Sequence, residues 1–110
     1  MKIYNNCLKS LKRVRDYGEI FLVLESYLRQ RTGLGAAEIS KQSIEKLFLK
    51  SGINDGYTKF FIKVMIESES SRFSPRQKSP EDLKKDLGLL VEILEKIDKK
   101  LKWKEILLFW

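Results

Sequence analysis

The chain has 110 residues, 43% of them hydrophobic and 34% charged, and a formal net charge of +7. That length suits one domain with its own core, and the composition is that of a folded globule rather than a disordered tail. It contains no histidine and a single cysteine, Cys7, which removes imidazole acid–base chemistry, a Cys–His nucleophile, an internal disulfide and a thiolate zinc site, so no catalytic residue, metal site or cofactor is expected.

Basic charge collects at the two ends. Residues 1–15 carry Lys2, Lys9, Lys12, Arg13 and Arg15 with no acid, residues 16–71 sum to −1, and residues 72–110 sum to +3. Residues 1–16 read as a basic N-terminal arm or helix start. Cys7, Leu8 and Leu11 suggest that this turn runs on into the following helix, with a break near Gly18. Lys9, Lys12, Arg13 and Arg15 are the candidate contacts for anionic lipid or other phosphates. Solvated charge that maintains solubility is the plainer alternative. No stretch approaches the ~20 apolar residues needed to span a bilayer, and no apolar region follows Lys2 as it would in a secretory signal.

Residues 17–102 read as an all-α domain, a compact antiparallel bundle of about four helices. Tyr17, Ile20, Phe21, Leu24, Leu28 and Arg31 recur at helical spacing, with Val23 and Tyr27 widening the face. Thr32-Gly33-Leu34-Gly35 ends that helix. Ser40 caps a short helix carrying Ile44, Leu47 and Phe48, and Gly52 with Ile53 closes it in a Schellman-type turn. Asn54 caps the next, whose stripe is Tyr57, Phe60, Phe61, Val64 and Met65 and which runs to about Ser71. The long last helix begins at Ser79-Pro80-Glu81-Asp82. Leu83, Leu87, Leu90, Leu94, Ile97 and Leu101 continue it as a heptad stripe, either the longest element of the bundle or the seam of a self-associating coiled coil. Residues 103–110 form an apolar Trp-rich tail. Trp103, Phe109 and Trp110 could pack back onto the bundle, lie at a membrane interface or fill a partner's groove.

Few patterns suggest chemistry. Glu67/Glu69 and Glu81/Asp82 lack a third convergent metal ligand, and Gly33-Leu34-Gly35 does not match a phosphate-binding fingerprint. The segment from Gly35 to Leu47 resembles a helix-turn-helix reader, but Glu45 lies on the helix that would enter the groove and the neighbouring charge is near zero. A nucleic-acid-binding protein using Lys41, Lys46 and the basic ends is therefore the alternative reading, not the leading one.

The stretch Ser71-Arg72-Phe73-Ser74-Pro75 breaks the helical run with an arginine and a large ring. Read physically, it is a clasp. Pro75 and Pro80 stop the linker from continuing either helix, Phe73 drops into a helix seam, and Arg72 caps the preceding helix or pairs with Glu67 or Glu69. On this reading Phe73→Ala lowers stability by ~3 kcal/mol. A partner-facing Arg–Phe hot spot is the competing reading.

The order of three features resembles the cytosolic C-terminal helical region of the BatD family, membrane proteins of bacterial aerotolerance operons. They are the Glu25-Ser26-Tyr27-Leu28 helix, the Glu38-Ile39-Ser40 turn with Ile44-Glu45-Lys46-Leu47 and Ser51-Gly52-Ile53, and Arg72-Phe73-Ser74-Pro75 before a long helix. The resemblance spans about residues 17–100. It implies a non-enzymatic docking domain on the cytoplasmic side of the bacterial inner membrane. Its implied partners are von Willebrand A-domain membrane proteins and a MoxR-type AAA+ ATPase. The chain departs from the family in lacking the signal, the extracytoplasmic part and the membrane span, which implies an excised or truncated portion.

Overall fold

Capping chemistry sets the helix boundaries in a computed structural model that describes residues 2–74 and 78–104. Among these residues the elements are α1 (Lys2–Lys12), α2 (Tyr17–Thr32), a 3-10 turn (Ala36–Glu38), α3 (Lys41–Lys50), α4 (Asp55–Ser71) and α5 (Pro80–Lys100), with no strand. Pro75, Phe109 and Trp110, singled out above, lie outside the described residues. Among the described residues the all-α class, the long last helix and the count of about four helices over residues 17–102 match the expectation, with one further helix before them.

The additional helix is α1, and it is no loose arm. Cys7 and Leu11 are buried in the common core, and Ile3, Tyr4 and Leu8 pack against it. It does not run into α2, because Asp16 caps α2. The Asp16 carboxylate accepts from the Glu19 N–H at 3.1 Å, while the Glu19 carboxylate accepts from the N–H groups of Asp16 and Arg15, each at 3.2 Å. This D-x-x-E capping box satisfies N–H groups that a helix start leaves without partners, and it moves the break from Gly18 to residues 13–16. Gly18 lies inside α2, where its missing side chain has another use described below.

The remaining boundaries follow the sequence. Gly33 ends α2 with φ 81° and donates to the Arg29 carbonyl at 3.0 Å. Ile53 N–H reaches the Phe48 carbonyl at 3.0 Å and Gly52 N–H the Leu49 carbonyl at 3.1 Å. Those two bonds, with Gly52 at φ 76°, make a Schellman motif that folds Ile53 onto the core. Ser79 accepts from the Asp82 N–H at 3.2 Å, with Pro80 in the first turn of α5.

Side-chain ties give the helix directions. Tyr17 meets Asp86 and Tyr27 meets Asp98, so α2 and α5 run in parallel. Lys96 lies over the Tyr57 ring at 5.4 Å, and Lys78 joins Glu67 to Asp86, so α4 runs antiparallel to α5. α2 is the central helix, packed by α1 on one flank and α4 on the other, while α3 closes one end against α4. Its residues Ile20, Leu24 and Leu28 are fully enclosed. In α5 the heptad leucines face this same interior. Leu90, Leu94, Ile97 and Leu101 are buried, with Leu83 and Leu87 partly so. The leucine repeat therefore builds the chain's own core.

One polar cluster ties the helices together where α5 begins. Lys78 Nζ lies 2.8 Å from Glu67 Oε1 and 3.0 Å from Asp86 Oδ2, and Tyr17 Oη donates to Asp86 Oδ2 at 2.9 Å. Burial alone would raise the Asp86 pKa. The hydrogen bonds from Lys78 and Tyr17 and the nearby ammonium charge outweigh it and hold the carboxyl below its usual range. A carboxyl depressed in the folded state contributes stability that is fully present above its unfolded pKa of about 3.9 and is lost as pH falls through the folded value. The urea midpoint of the wild type should therefore fall more steeply below about pH 4 than that of Asp86→Asn, which starts lower at neutral pH. Parallel pH profiles for the two proteins would show that Asp86 is not linked to folding.

Candidate functional site

The corner at Arg72 and Phe73 is built differently from the clasp read in the sequence. After α4 the backbone tightens, with Arg72 N–H donating to the Glu69 carbonyl at 3.2 Å and Phe73 N–H to the Ser70 carbonyl at 3.1 Å. This turn carries Phe73 outward, where it is 79% exposed. The seam-filling role expected of Phe73 is thus overturned.

Arg72 occupies that place instead. A Cβ on Gly18 would stand 2.9 Å from Arg72 Cγ, so the arginine stem lies across a notch that only glycine leaves open. Its guanidinium carbon sits 5.5 Å from the Phe21 ring centroid and 5.3 Å from that of Phe73, within cation–π reach of both. The expected pairing with Glu67 is replaced by Lys78, which holds that carboxylate.

Beside this corner runs an apolar trough. Between α3 and α4 lies a cleft of about 580 Å³ with Leu49, Ile53, Ile62 and Ile66 on its apolar surface and Lys41, Glu45, Lys59 and Lys63 around it. A smaller depression of about 130 Å³ shares Lys41, Ile62 and Ile66 and continues to Ile39, Met65 and Phe21. The surface is therefore continuous from Leu49 to the ring under Arg72. Leu49 is 78% and Ile66 53% exposed. Along α4, Ile62 and Ile66 are four apart, on one side of the helix, and Phe73 follows in the turn beyond its end.

Sequence reasoning missed Leu49, Ile62 and Ile66 as a group. The available signal was an apolar residue standing off each helix's core stripe. Nothing in a linear spacing places one such residue of α3 opposite another of α4.

The N-terminal basic residues share a second face. Lys2, Lys9, Lys12, Arg13 and Arg15 are exposed, and among the described residues none of them forms an ion pair. On α1, Lys2 and Lys9 stand seven apart, opposite the side that buries Cys7 and Leu11, and Arg13 follows in the turn after the helix. By contrast, Lys41, a residue of the nucleic-acid reading, is 3.8 Å from Glu45 and borders the trough.

Burial, with a smaller contribution from Asp98, pushes the Cys7 thiol up to about 12, which leaves it a neutral packing group rather than a thiolate at ordinary pH. Among the described residues no cluster of three or more acids or cysteines could hold a metal ion, and no helix is long and apolar enough to cross a membrane.

The tail begins as a packed strand of chain. Lys102 N–H donates to Ser51 Oγ at 3.0 Å, and Lys104 Nζ lies 3.3 Å from Glu38 Oε1. Between them Trp103, 45% exposed, covers Gly33, where a Cβ would stand 2.5 Å from Trp103 Cζ2. Of the three places considered for the tail, Trp103 takes the one against the bundle.

Comparison with protein-family models, curated proteins and solved structures finds no match for this chain.

Proposed function

We propose that the protein is a non-enzymatic docking domain whose α3–α4 trough receives an apolar segment of a protein partner. In this reading the basic face of α1 lies against an anionic membrane surface. The observation that carries it is the pair Leu49 and Ile66, 78% and 53% exposed on the two helices that border one trough. A single exposed leucine is ordinary on a soluble protein, whereas a contiguous apolar surface rimmed by charge is the usual form of an interaction site. Arg72 and Phe73 at its far end are residue types favoured where binding energy concentrates.

The resemblance to BatD supports the same reading and supplies the partners to test, A-domain membrane proteins and a MoxR-type ATPase. Lys and Arg along α1 suit the cytoplasmic flank of a membrane. The same unpaired stripe could serve nucleic acid, so the test separates the two.

Immobilised wild type should retain A-domain proteins or a MoxR-type ATPase from detergent-solubilised bacterial membranes, with or without nuclease treatment. Leu49→Glu/Ile66→Glu, with an unchanged helical spectrum, should lose them. Retention indifferent to those substitutions would remove the trough from the function. Recovery only of nucleic-acid-associated proteins, lost after nuclease, would replace docking by the nucleic-acid reading.

A further inference from the structure

Resting on that reading, we infer that the trough has an occupant within the chain itself: the C-terminal segment Glu105-Ile106-Leu107-Leu108-Phe109-Trp110. The segment that leads to it is held beside the trough. Lys104 is tied to Glu38 at 3.3 Å, and the next residue along, Ile39, borders the depression that also holds Ile62, Ile66 and Phe21. Trp103 on Gly33 anchors the same segment from the other side.

Reach and chemistry both fit. Six extended residues cover about 20 Å. The trough runs from Ile39 alongside the ten residues of α3 to Leu49, about 15 Å at the rise of an α-helix. The segment is one acid followed by five large apolar residues, and the trough is an apolar surface with Lys41 common to both of its parts. Docking there covers the exposed Leu49 and Ile66 with apolar side chains and removes them from water.

The segment is then a built-in competitor. A partner must displace it, and because it is tethered it acts at a high effective concentration set by a short linker. Docking affinity is thereby tuned by the tail as well as by the trough.

Disulfide trapping in the 110-residue chain tests this directly. The buried Cys7 stays in place, Leu108→Cys is introduced in the tail, and its partner is Ile66→Cys in the trough or, as control, Lys85→Cys near the far end of α5. In dilute protein under mild oxidation, intact-mass spectrometry should show an intramolecular disulfide formed several-fold faster with Ile66→Cys than with Lys85→Cys. As a second readout, Phe109→Ala/Trp110→Ala should shift the methyl resonances of Leu49, Ile62 and Ile66 in an otherwise unchanged spectrum. Equal trapping at both positions, or none, would overturn the inference. So would covalent dimers selective for Ile66→Cys, which would assign the trough to the tail of a second copy. If trapping fails while the Leu49→Glu/Ile66→Glu variant still loses its partner, the docking reading stands and only the tail is excluded. If trapping succeeds and partner retention ignores the trough, the reverse holds.

Discussion

Phe61→Ala should lower the unfolding free energy by about 3–5 kcal/mol, as expected for a large ring removed from a closed site. Phe61 has no exposed surface, and its ring centroid lies 5.1 Å from that of the equally enclosed Phe48, with the planes tilted by 58°. The loss has two parts. Apolar area returns to water, and a void opens where α3 rests on α4, because the helices can collapse only partly around it. For a chain of this length the melting temperature should fall by more than about 10 °C. Phe73→Ala is the matched comparison. At 79% exposure its change should stay within about 0.5 kcal/mol. Urea denaturation of the two variants measures the contrast. Similar losses at both positions would mean that Phe73 is buried after all and that the clasp first read in the sequence is real.

The second large effect is expected at Asp98. Its carboxylate accepts from the phenol of Tyr27, which is 2% exposed, and from Arg31 Nε at 3.0 Å, while Arg31 Nη2 donates to the Asp98 carbonyl at 2.9 Å. These bonds tie α2 to the end of α5. Asp98→Ala leaves a buried hydroxyl with no acceptor and a guanidinium without its counter-charge. The cost should be about 2–4 kcal/mol, at the lower end of losses for a broken buried pair because Arg31 keeps some contact with water. Asp98→Asn retains an acceptor for the phenol and should recover most of that loss. Equal urea midpoints for Asp98→Ala and Asp98→Asn would show that the hydrogen bond to Tyr27 contributes nothing and that packing alone joins the two helices.

The Phe61 site also bears on docking. α3 is held through Phe48 and Phe61, so the trough has one rigid wall on the core and one apolar face open to a partner. Stability and binding can therefore be separated by substitution: Phe61 governs the first, while Leu49 and Ile66 should govern the second.

How much was legible in the sequence differs from element to element. Asp16-x-x-Glu19, Ser40, Gly52-Ile53 and Ser79-Pro80 set helix limits through bonds to backbone groups within a few residues, so they can be read without knowing the fold. The stripes of α2 and α5 are likewise legible, because a helix repeats its core-facing side at fixed intervals. The Asp16 box was present in the sequence but overshadowed by Gly18, a glycine that reads locally as a break. Only the packing shows that Gly18 makes room for Arg72.

By itself, then, the sequence determined an all-α chain, the starts and ends of most helices, and the residues of α2 and α5 that form the core, all consequences of short-range hydrogen bonding and helical periodicity. The tertiary structure alone decided that α1 belongs to that core, that Arg72 rather than Phe73 fills the corner, and that Leu49 and Ile66 border one trough. Each of those depends on which residues far apart in the chain come within a few ångströms, and that is set by the sum of many weak packing contacts rather than by any local pattern.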